Sequence, residues 1–136
     1  MATFVLTDSF ISINGVDLSD HGNAITLTYE CEVQDDTAFG DTTRSGAGGL
    51  KNWSMDFGFL QDFAASEVDA TIFPLVGSTT TCTVRAVATG GVAATNPNFT
   101  GLGLITNYGI ITGSVGDQAN SPVSVVAAGT LSRATS

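Results

Sequence analysis

Apolar and polar residues alternate with a period of two over several stretches of the chain. That alternation predicts strands with one face in a core and the other in water. The clearest runs are 50–60, where Trp53, Met55, Phe57 and Phe59 alternate with Asn52, Ser54, Asp56 and Gly58, and 24–33, where Ile25, Leu27, Tyr29, Cys31 and Val33 alternate with Thr26, Thr28, Glu30 and Glu32. Ile11 and Ile13 are followed by Asn14-Gly15 and then by Val16 and Leu18. An Asn-Gly pair between alternating apolar residues predicts a hairpin, because a two-residue turn needs positive φ at both positions. Further strands are predicted over 78–88 (Cys82, Val84 and Ala86 against Thr81, Thr83 and Arg85), over 99–112 (Leu102, Leu104, Tyr108 and Ile110) and over 123–131 (Val123, Val125 and Ala127). Gly101, Gly103 and Gly109 suit a bent or bulged strand.

Over 61–76 the period changes. Ala64 or Ala65, then Val68, Ile72 and Leu75 or Val76 recur every three to four residues, which is one face of a helix. Asp62 marks its start as an acceptor for first-turn amides, and Pro74 marks its end because it has no amide to continue. About three turns fit between them, too few to be stable in water without a sheet to lie on. Residues 34–49 show no period and contain four glycines, three aspartates and an isolated Phe39. Irregular stretches longer than about 12–15 residues are uncommon in compact domains, so this one is expected to project as an arm. Phe39 is its apolar anchor for a partner, and the arm is expected to order on assembly.

At 136 residues, 12% charged and with 16 glycines, the chain is expected to form one domain over 1–136. The fold class expected is mainly β, a two-sheet sandwich or barrel with one flanking α-helix and a long projecting loop. Thirteen acids oppose four bases (Arg44, Lys51, Arg85 and Arg133), a net charge of −9 that argues against gripping nucleic acid. No apolar run reaches membrane-spanning length, and the start Met1-Ala2-Thr3-Phe4 lacks the pattern of a secretion signal. Cys31 and Cys82 fall at apolar strand positions and read as buried thiols rather than a disulfide. His21, beside Asp20, reads as an ordinary histidine in a surface turn. There is no nucleophile elbow and no phosphate loop, and Asp35, Asp36 and Asp41 do not match the spacing of a calcium loop. The expectation is a protein without catalysis, metal or cofactor.

The order of elements resembles the tail tube (major tail) proteins of long-tailed bacteriophages. The resemblance spans about residues 5–131 and rests on SINGVDL (12–18), DDTAFGDTTR (35–44), GLKNWS (49–54), DFAA (62–65) and FPLVG (73–77). It implies a subunit of two packed sheets flanked by a helix, rings of six subunits, and stacked rings forming a virion tail tube that conducts DNA without binding it specifically. Assembly would take place in the host cytoplasm, with the chain itself and other tail proteins at the tube ends as partners and no membrane. Asp35, Asp36, Phe39, Asp41 and Arg44 would then belong to an inter-subunit loop. Thr26, Thr28, Glu30, Glu32, Asn52, Ser54 and Asp56, the wet faces of two strands, would be candidates for the lumen wall. Many members of that family carry additional outer domains, for which 136 residues are expected to leave no room, and the expectation is then a smooth tube. A capsid decoration or other immunoglobulin-like binding module is the alternative suggested by short strands with Thr-rich faces.

Overall fold

The computed structural model describes residues 5–89 and 91–135, and its seven strands follow the alternating runs. They are β1 (Phe10–Ile13), β2 (Val16–Asp17), β3 (Gly22–Asp35), β4 (Gly46–Leu60), β5 (Thr79–Arg85), β6 (Asn98–Tyr108) and β7 (Asn120–Ala134). A 3-10 turn at Ser19–His21 leads into β3, and one short helix, α1 (Val68–Ile72), runs into a second 3-10 turn at Phe73–Leu75. Mainly β with one helix is therefore the architecture. The two sheets expected are instead one antiparallel sheet, in the order β2-β1-β5-β6-β7-β4-β3, because β4 pairs with β3 on one edge and with β7 on the other.

This sheet curls, so that a single face supplies both walls of the core. Ile25 and Leu27 of β3 look across a cleft at Val84, Phe99 and Leu131 of β5, β6 and β7. At the far end of the curl Ile11 of β1 lies so close to Gly22 that a Cβ there would be 2.7 Å from its Cδ1. Trp53, Met55, Phe57 and Phe59 are buried as their alternation requires, together with Ile11, Ile13, Val84, Val123 and Val125. The Asn14-Gly15 turn has φ of 54° and 80°, the positive pair that lets β1 fold back on β2.

Strand β6 buries Gly101, Gly103 and Ile105 and turns Leu102 outward. The reason is Trp53: a Cβ on Gly101 would stand 2.5 Å from its ring, so only a residue without a side chain leaves room for the indole. Opposite these glycines β7 carries a bulge, with Gly101 paired to Leu131 and Gly103 to Ala127. The bulge carries the Gly129 carbonyl, which accepts the Trp53 indole N–H at 2.8 Å.

The helix is shorter than its periodicity predicts. Asp62 Oδ1 accepts the Ala64 N–H at 2.9 Å, closing a local turn, and Ser66 then adopts a left-handed φ of 64° that no helix can run through. Helical residues therefore begin at Val68, and Val68 and Ile72 carry the apolar face into the core. Tyr108 of β6 ties α1 down by donating to Asp69 at 2.9 Å, while Gln61 donates to the Tyr108 hydroxyl oxygen at 2.8 Å. Burial first, and then the neighbouring Asp69 carboxylate, push the Tyr108 hydroxyl up to about 12.

Candidate functional site

An exposed two-stranded construction grows out of the β3–β4 pair. Strand β7 accompanies β4 only from Leu60 to Ser54, then continues with β6 alone. Beyond that fork β3 and β4 stay paired to Asp35 and Gly46 and stand as a two-stranded ribbon, roughly 25 Å long at about 3.3 Å per residue. Trp53 fills the fork. Of the arm expected as sixteen irregular residues, six (34–35 and 46–49) belong to the ribbon and ten, 36–45, form the loop at its tip. Its glycines make room for the side chains of β3, since a Cβ on Gly46 would meet Val33 at 2.8 Å and one on Gly49 would meet Glu32 and Gln34 at 3.2 Å. The missing period concealed the strand, but a signal was there: the pairs Ile25↔Phe57, Tyr29↔Trp53 and Asp35↔Gly46 all centre near Asp41.

The loop at the ribbon's tip is closed by its own bonds. Ser45 N–H donates to Thr37 Oγ1 at 2.8 Å, Ala38 N–H donates to Asp41 at 2.8 Å, and Arg44 pairs with Asp35 at 2.7 Å. Hydrogen bonds from Thr37, and then Arg44, hold the Asp35 carboxyl below the usual carboxylate range. These bonds present Phe39 wholly to solvent (109% exposed).

The ribbon and its root have two chemically different faces. Thr26↔Asp56, Thr28↔Ser54 and Glu30↔Asn52 are cross-strand partners, so with Glu32 the seven candidate wall residues do share one outer face. All are exposed except the half-buried Ser54. Its charged members on β3 and β4 are all carboxylates, because Lys51 projects from the opposite face beside Cys31. The inner face carries Ile25, Leu27, Tyr29, Cys31 and Val33, and its burial fades toward the tip. Tyr29, expected in the core, is 53% exposed, and Cys31, expected buried, is exposed, because β3 runs past the strands that would cover it. Cys82 is buried as expected, and burial raises its thiol to about 11. Between Ile25, Leu27 and Tyr29 on one side and Val84, Phe99 and Leu131 on the other lies an apolar cleft of about 460 Å³. No local pattern in the sequence announces this cleft, since its walls come from strands more than fifty positions apart.

His21 is not the idle surface histidine expected. Its Nδ1 lies 2.8 Å from Asp20, and its Nε2 lies 2.8 Å from Asp62 and 3.2 Å from Glu67. Carboxylates lie against both ring nitrogens and favour the imidazolium form; Asp62 first and Asp20 next raise its pKa above 6.5. The Asp62 carboxyl is lowered in turn, chiefly by His21 and then by the Ala64 amide. Asp20, His21 and Glu67 are close enough to share a cation, which would have to displace the proton of the ring. The cluster pins the turn before β3 to the segment before α1. At that same end, past the C-terminal end of β4, Phe63, Ile111 and Val115 are exposed.

By sequence the chain matches no protein-family model and no curated protein. Its fold, however, is shared with solved structures. It is similar to a chain of "Tail of empty GTA particle computed with helical refinement, C6 symmetry" with a TM-score of 0.64 at 20% identity, over 82% of this chain and 81% of that one. It is similar to a chain of "Virion of native gene transfer agent (GTA) particle" with a TM-score of 0.67 at 18% identity, over 93% and 95%. A chain of the anti-feeding prophage baseplate, 6-fold symmetrised, aligns with a TM-score of 0.56 at 8% identity, over 98% and 97%.

Proposed function

We propose that this chain is a structural subunit of a virion tail, and within it of the tail tube, self-assembling into stacked rings of six that let DNA pass. The observation that carries this reading is the ribbon ending in a bare Phe39 on a fold shared with chains from tail and baseplate particles. An assembling subunit recovers roughly 1.5–3 kcal/mol by covering this ring. The open outer edges of β3 and β2 give further surface to neighbours. Six-fold symmetry is supported by its appearance in two of the similar particles. The carboxylate-only face of Glu30, Glu32 and Asp56 suits a wall that phosphate must slide past. On this reading the protein is non-catalytic, needs no cofactor, resides in the virion tail after assembly in the host cytoplasm, and meets other tail proteins at the tube ends. An immunoglobulin-like module is less well supported, since such modules have two sheets and this chain has one continuous sheet.

Negative-stain images of the purified protein at rising concentration test the proposal. Rings or tubes of uniform diameter are expected; persistent monomers at the highest concentration would overturn it.

A further inference from the structure

The open mouth of the curled sheet is apolar inside and basic at its rim. Register places Arg133 on the same face as Phe99, its direct partner, and Lys51 on the same face as Tyr29, one pleat beyond Trp53. Neither cation has a carboxylate partner among the described residues. At about 460 Å³ the cleft is of a size that admits a large side chain. The ribbon's tip has the opposite character. Phe39 is bare, and around it Asp35, Asp36 and Asp41 outnumber Arg44, which is already engaged with Asp35. Asp35 at the ribbon's end lies six positions beyond Tyr29 at the mouth, a span of roughly 20 Å, so Phe39 cannot reach the cleft of its own chain without unzipping β3 from β4.

We infer that the Phe39 tip of one copy docks in the cleft between β3 and β5–β7 of a second copy, with its aspartates against Lys51 and Arg133. The inference rests on the self-assembly proposed above and names the socket within it. Tip and cleft are different patches, so the contact is heterologous: every copy is donor to one neighbour and acceptor to another, and the chain of contacts either closes or runs on. A contact of one aromatic ring and two ion pairs is weak alone and gains strength from repetition.

The native Cys31, exposed at the mouth, provides the test. One population carries Ala38→Cys together with Cys31→Ser; the other keeps Cys31. Mixed under mild oxidation at assembling concentration, they are expected to give a disulfide-linked pair that either population alone does not. Separately, Lys51→Glu with Arg133→Glu should raise the concentration needed for assembly on the order of tenfold, and adding Asp36→Lys should recover part of that loss. Circular dichroism of each variant checks that these exposed positions leave the fold intact. Normal rings or tubes without the mixed disulfide, and unmoved by charge reversal, would overturn the socket while leaving the tail reading standing. Leu6 of the same chain also lines the cleft, so a cross-link that forms only after deletion of residues 1–6 would assign the cleft to the chain's own N-terminal end and also overturn it. Failure to assemble at all would remove the tail reading and the socket with it.

Discussion

At the scale of single residues, Trp53 and Gly101 form one unit. The indole is large because it closes the fork where β4 leaves β7, and Gly101 is small because the ring occupies the place of its Cβ. Gly101→Ala should therefore cost about 1–3 kcal/mol by overpacking. Trp53→Phe should be destabilising alone yet less so beside Gly101→Ala, since the smaller ring frees the space. A double-mutant cycle by urea unfolding measures the coupling, and strictly additive costs would show that the two do not compete for that space.

At the scale of elements, the His21 cluster joins the turn before β3 to the approach to α1. His21 has its pKa raised above 6.5 on folding. Its contribution is thus fully present below the unfolded value and is lost as pH rises through the folded one. Asp62 is shifted the other way, below 3.8, so its contribution is present above that value and is lost as pH falls through the folded one. The pin is strongest between these limits. Urea midpoints taken from about pH 5 to about pH 9 should decline across the titration of His21, and His21→Gln should flatten that decline. A wild-type profile level across this range would show that the ring is not held as imidazolium.

At the scale of the whole molecule, the two faces of the β3–β4 pair divide the work: the outer face is acidic, and the inner face ends in an apolar cleft with a basic rim. If the outer face lines a conduit, its carboxylates keep DNA from adhering. Changing Glu30 and Glu32 to Lys should leave assembly possible and make the tubes retain DNA at low salt, with retention fading as salt rises. Filter retention of labelled duplex by assembled protein measures this. Variant tubes that hold no more DNA than wild type at low salt would place this face elsewhere than the lumen.

Alternation by itself determined the strands, the buried faces of β1, β4, β5 and β7, and the Asn14-Gly15 turn, because each follows from backbone geometry within a few residues. The charge of −9 likewise needs no fold to be read. Tertiary structure decided which strands meet. The pairing of β4 with both β3 and β7 merged two expected sheets into one; the pairing of β3 with β4 drew the ends of an expected loop into a ribbon, and the departure of β7 at Ser54 uncovered Tyr29 and Cys31. Ser66 and Asp62 cut the helix short through a left-handed φ and a side-chain turn that apolar periodicity does not register. The cleft and the His21 pin exist only because residues far apart in the chain converge, Leu27 with Leu131 and His21 with Asp62. Such encounters depend on the burial of the whole core, and no local pattern encodes them.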